Sequence, residues 1–108
     1  MTTFIDIGRQ FSRHPAGRFP SDGKYNGESF RKKFLVTPLN VGENISIIFD
    51  NAIDYGSSFL EEAFGGLIRI EGFSRDQVLN LITLETSDDF LRYEVLEYIN
   101  SAESTGRN

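Results

Sequence analysis

Residues 45–68 read ISIIFDNAIDYGSSFLEEAFGGLI, and two patterns inside that stretch decide the fold class. Ile45, Ile47, Ile48 and Phe49 form a nearly continuous apolar run, which suits a strand covered on both faces and closed by Asp50-Asn51. After a short loop the period changes. Leu60, Ala63, Phe64, Leu67 and Ile68 fall at i, i+3, i+4, i+7 and i+8, one apolar stripe of an amphipathic helix. Ser58 and Glu61 have the spacing of a capping box at its start, and Gly72 follows its end. Gly65-Gly66 interrupts the stripe at a cost of about 1 kcal/mol per glycine relative to alanine. Such a pair marks close approach to the sheet or a bend.

Working outward, Thr3 to Ile7 is β-branched and aromatic and reads as a first strand, with Phe11 as an extension. His14-Pro15-Ala16-Gly17 supplies turn chemistry, and Arg18-Phe19 reads as a short return strand that completes a hairpin. Asn26 is placed to cap a first helix whose Phe30 and Phe34 share one face, with Arg31, Lys32 and Lys33 outward. Pro38 should end or kink that helix. Downstream, Ser74 to Gln77 heads a short helix through about Leu79, and Leu81 to Glu85 is a further strand. Ser87 then caps a last helix with Leu91, Val95, Tyr98 and Ala102 on its core face. Alternating strands and helices imply a layered α/β domain with crossover helices and, given the hairpin, a small mixed β-sheet. The expected domain is 1–102, with 103–108 a frayed, polar tail.

With 108 residues the chain fits one core, and ten phenylalanines supply its bulk. The absence of cysteine removes disulfides, thiol nucleophiles and thiolate metal sites, and agrees with a cytoplasmic setting. The first ten residues lack a basic segment followed by an apolar run, so no signal peptide is expected, and no apolar stretch is long enough to span a bilayer. A net charge of −5 argues against nucleic-acid binding. Positive charge gathers in the first third of the chain, while acids predominate between Asp50 and Asp89.

Two segments carry candidate chemistry. Gly56-Ser57-Ser58 precedes the amphipathic helix, where free amides and the positive dipole end favour an anion. With Ser58 as the cap, Ser57 lies one residue outside and is free to meet a kinase or a ligand; the plain alternative is that both serines only cap the helix. Tyr55 and Phe59 flank the pair as packing residues or as anchors of a partner surface. The second segment is the loop holding Arg13, Arg18 and Lys24, which could grip a phosphate or carboxylate, or else is a solvated hairpin whose arginines pair with acids. Arg18 could also bridge to the helix start and unite the two. His14, the single histidine, has neither metal-ligand companions nor a nucleophile beside it in the sequence. Glu61-Glu62 and Asp88-Asp89 sit in first turns, where acids favour the helix dipole.

The run from Asp54 to Leu67 resembles the signature of the bacterial STAS-like domain of unknown function. Phe11-Ser12-Arg13, Gly17-Arg18-Phe19, Ser21-Asp22-Gly23 and Gly27-Glu28-Ser29-Phe30-Arg31 are similar to that family's second block. The resemblance covers roughly residues 11–99 and implies a STAS-like fold related to anti-sigma-factor antagonists. In those antagonists a serine at a helix start is phosphorylated by a kinase with a histidine-kinase-type ATPase fold, and that controls protein binding. Ser57 matches the phosphorylated position and Ser58 the one after it, while Gly56 and Phe59 replace the aspartate and glycine that flank it there. The resemblance thus implies a non-catalytic regulatory domain with a protein partner and no cofactor. The alternative is a sensor in which the basic loop and the Ser57 helix start bind a nucleotide or another anionic small molecule.

Overall fold

The computed structural model describes residues 1–103, so most of the tail expected at 103–108 lies outside the described residues. Its first strand, β1 (Thr2–Asp6), runs into a four-residue helical turn, α1 (Ile7–Gln10). Phe11 therefore does not extend the strand. Its ring packs instead against Phe30 and Phe34, at centroid distances of 5.2 and 5.8 Å. The second helix, α2, occupies 27–40 as Gly27–Phe30, a wider π-type winding over Arg31–Leu35, and Val36–Asn40. Pro38 neither stops nor immediately follows it. The proline lacks an amide and crowds the carbonyl four residues back, and the π-wound turn comes just ahead of it.

Strand β2 (Asn44–Ile48) is followed by α3 over 57–69, again with a π-wound centre at Glu61–Gly65. Helix α4 (Arg75–Leu81) outlasts the expected end at Leu79 and passes directly into β3 (Ile82–Glu85). The last helix, α5, is Asp89–Ser101. Two expected caps form: Asn26 Oδ1 accepts from the Ser29 amide at 2.9 Å and Ser74 Oγ from the Gln77 amide at 3.0 Å. At α5 the cap is Asp88, not Ser87, because the Ser87 amide and hydroxyl are both turned onto Asp50.

Among the described residues the sheet has three strands in the order β1-β2-β3, and both pairings are parallel. This corrects the expected mixed sheet. No strand forms at Arg18-Phe19, because the loop's backbone is spent elsewhere: the Gly17 and Arg18 carbonyls accept from the Gly27 and Glu28 amides at the start of α2, both at 3.0 Å. A parallel neighbour needs a crossover, and helical segments supply each one. Ile5, Ile45 and Ile47 lie on the face that joins Phe30, Phe59, Phe64 and Val95 in the core. The other face is open. In register across it stand Phe4, Ser46 and Thr83, with Phe4 and Thr83 exposed, so β2 is covered on one face rather than on two.

The apolar stripe of α3 is buried along its length, as its spacing predicts. The close approach there is to another helix rather than to the sheet. A Cβ on Gly66 would stand 2.3 Å from Arg31 Nη1, and one on Gly27 would stand 2.5 Å from the Phe59 carbonyl oxygen. Helices α2 and α3 cross closely only because these positions are bare.

Candidate functional site

The cap of α3 is Gly56, in extended conformation, whose carbonyl accepts the Leu60 amide at 3.1 Å. Glycine has no side chain to offer the first amides, and the Ser58–Glu61 capping box does not form. Ser57 and Ser58 thus occupy the first turn itself, and both are exposed. Ser57 stands beside Tyr98 on α5, whose hydroxyl donates to Glu94 at 2.7 Å. The bond to Glu94, with burial and the carboxylate charge behind it, pushes the Tyr98 phenol up to about 12, against a smaller opposing pull from Ser57.

The flanking aromatics are packing residues. Phe59 is buried against Phe11, Phe30 and Tyr55. Tyr55 is half-buried and donates to the Phe49 carbonyl at 2.7 Å; burial first, then the charges of Asp50 and Asp6, hold its phenol protonated.

One turn into α3 lies an ionic network that the sequence reading did not anticipate. Arg31, expected outward, has a side chain 1% exposed. Its Nη1 donates to the Glu62 carboxylate at 2.8 Å and to the Glu62 carbonyl at 2.6 Å, while Nε donates to Glu71 at 2.8 Å. Arg18 reaches the same helix, pairing with Glu61 and, at 3.1 Å, with Glu62. Arg69 pairs with both glutamates from the end of α3. Burial pushes the Glu61 carboxyl up, but hydrogen bonds from Arg69 and Arg18 outweigh it and leave the group below its ordinary value. The hydrogen bond to Glu61 raises Arg18 in turn. Both π-wound turns meet at this network, since Arg31 lies in one and Glu61 and Glu62 in the other.

The basic loop is not gathered into one grip. Arg18 is spent on glutamates, Lys24 lies 5.5 Å from the centre of the Tyr25 ring, and Arg13 lines a separate shallow cavity with Arg9 and Asn51. His14 is exposed, its amide bonded to the Ser12 hydroxyl. The predicted bridge from Arg18 to α3 exists, yet it ends on carboxylates rather than on the serines. Among the described residues no group of three or more His, Asp or Glu is placed to hold a metal ion, and no helix is long and apolar enough to cross a membrane.

What sequence reasoning missed shares one signal. Arg31 sits between Phe30 and Phe34, and Gly66 lies in the middle of an apolar stripe; a charge and a bare backbone at core positions can be partners.

Compared with curated proteins and with solved structures, the chain has no match in either. The family model for the STAS-like domain of unknown function matches residues 26–89, from the cap of α2 to the first residue of α5. That span covers more than half of the chain and contains the Ser57 turn and all of the network but Arg18, so the chain belongs to the family of STAS-like domains of unknown function.

Proposed function

We propose that this domain is a regulatory protein-interaction module, non-catalytic in itself, whose partner binding is switched by phosphorylation of Ser57. The observation that carries the reading is the exposed Ser57-Ser58 pair in a first turn capped only by Gly56. An exposed hydroxyl not spent as a cap is accessible to a kinase, and the helix amides beside it favour the phosphate it receives. The charge of about −1.5 to −2 that a phosphate adds would stand beside the Tyr98–Glu94 pair. Like charges there repel, so phosphorylation displaces that pair from the helix start and changes the surface that α3 and α5 share. Resemblance to anti-sigma-factor antagonists makes the kinase a histidine-kinase-type ATPase-fold protein, acting with this domain in the cytoplasm.

The sensor alternative draws less support. The best-placed cation of the basic loop, Arg18, already neutralises Glu61 and Glu62. A phosphate-bearing ligand would have to break those pairs.

Affinity capture from native cells with wild-type, Ser57→Ala and Ser57→Glu baits tests the switch. The wild-type and alanine baits should retain one common partner, and the glutamate bait should retain at least tenfold less of it. Equal capture by all three would reduce the serines to elements of a helix start.

A further inference from the structure

The loops that follow β2 and β3 both leave the carboxyl end of the parallel sheet. Here the crevice lies between the loop after β2 and the start of α5, with a volume of about 490 Å³. Asp50, Asp54, Asp88 and Glu94 line it, and no Lys, Arg or His does. Three of these acids have structural work: Asp50 holds Thr86 and Ser87, Asp88 caps α5, and Glu94 accepts from Tyr98. Asp54 is exposed, with its backbone in the left-handed region at φ 58°.

The rim is apolar. Phe90, 88% exposed, and Ile53, half-exposed, line the crevice, and Tyr93, 72% exposed, follows Phe90 by three residues on α5 outside the lining. At that exposure Phe90 buries little surface in the fold, whereas aromatic anchors dominate binding energy at protein interfaces. The cations of this end of the sheet, Arg9 and Arg13, line the adjoining cavity on the β1 side. Arg92 is turned onto Asp89 and the Thr86 carbonyl, although its charge also acts on Asp50.

We propose that this crevice docks a basic, apolar-flanked segment of a partner protein: an Arg or Lys side chain enters among the carboxylates while an aliphatic neighbour covers Phe90 and Ile53. The charge of the lining selects the sign of the partner, and the exposed aromatics supply the desolvated contact that carboxylates alone cannot. A cation beside Phe90 and Tyr93 also gains from their ring faces. The inference rests on the interaction-module reading and names the chemistry of its partner.

The probe is a nine-residue peptide of alternating Arg and Leu, with a Glu–Leu peptide of equal length as its control, titrated into the isotope-labelled full chain and followed by amide chemical shifts. The Arg–Leu peptide should shift residues of the 49–55 loop and the first turns of α5, and the Glu–Leu peptide should not. Phe90→Ala and Asp54→Asn should each weaken binding about fivefold or more; asparagine tolerates the positive φ, and both sites are exposed, so folding is preserved. Asp76→Asn, an equal charge change on the exposed first turn of α4, should alter affinity less than twofold. Shifts spread over the acidic surface, equal weakening by Asp76→Asn, or silence at millimolar peptide would overturn the proposal. The Ser57 baits test the switch separately. A partner lost on Ser57→Glu with a silent titration keeps the switch and discards the crevice, and the opposite pair of results does the reverse.

Discussion

Arg31 is the residue on which the packing of α2 against α3 turns. Its guanidinium is enclosed by the Glu62 carboxylate, the Glu62 carbonyl and Glu71, and among the described residues no buried side-chain polar atom lacks a partner. Removing one member of such a pair strands the other in a low-dielectric interior. Arg31→Ala should therefore lower stability by about 3–5 kcal/mol in urea unfolding. Glu62→Gln should lower it as well, and the two losses should add to clearly more than the double variant shows, because they share one network. Gly66 supplies a sharper test. An added Cβ there meets Arg31 Nη1, so Gly66→Ala should destabilise the wild-type chain. In the Arg31→Ala background the obstruction is gone, and the same change should approach the helix-propensity gain of about 1 kcal/mol. A loss of equal size in both backgrounds would show that Gly66 is needed for some other reason.

The helix starts differ in what holds them, and the difference was only partly legible beforehand. Asn26 is buried and makes two bonds, to the Ser29 amide and to the Gly23 carbonyl. Asn26→Ala should cost about 0.5–2 kcal/mol. Ser58 fits a capping box by spacing, but Gly56 caps the helix and Glu61 is drawn off by Arg18 and Arg69. Ser58→Ala should accordingly change stability by less than about 0.5 kcal/mol, a surface-sized effect. Periodicity located β2, the stripe of α3 and the core face of α5 because burial imposes a repeat on the sequence itself. Local signals gave no access to long-range competition. The Gly17–Arg18 carbonyls taken by α2, the arginines drawing Glu61 from its box, and Asp50 drawing Ser87 from its cap all depend on residues distant in the chain. The same blindness placed Arg31 on the surface and Ser57 outside the helix rather than in its first turn.

For the whole molecule, the ionic network and the Asp50 clasp tie stability to acid pH. Glu61 lies below its ordinary 4.5 despite burial, because Arg69 and Arg18 hold its charged form. Asp50 lies below 3.8, held by hydrogen bonds from Thr86 and Ser87. A carboxyl depressed in the folded state stabilises it fully above the unfolded value and loses that contribution as pH falls through the folded one. Urea midpoints should therefore change little from pH 7 to pH 5 and fall below about pH 4.5, with a shallower fall in Glu61→Gln. An equal fall in that variant would place the acid sensitivity elsewhere. The open face of the sheet exposes Phe4 and Thr83, α3 exposes its serine turn, and the crevice exposes Ile53 and Phe90. We propose that this surface serves docking and that Ser57 carries the switch. The most direct test is peptide mass spectrometry on the chain gently isolated from its native cells, with co-purifying proteins identified in the same sample. Phosphate on Ser57 together with an ATPase-fold kinase is the expected result; unmodified Ser57 in every growth condition, with no such partner, contradicts it.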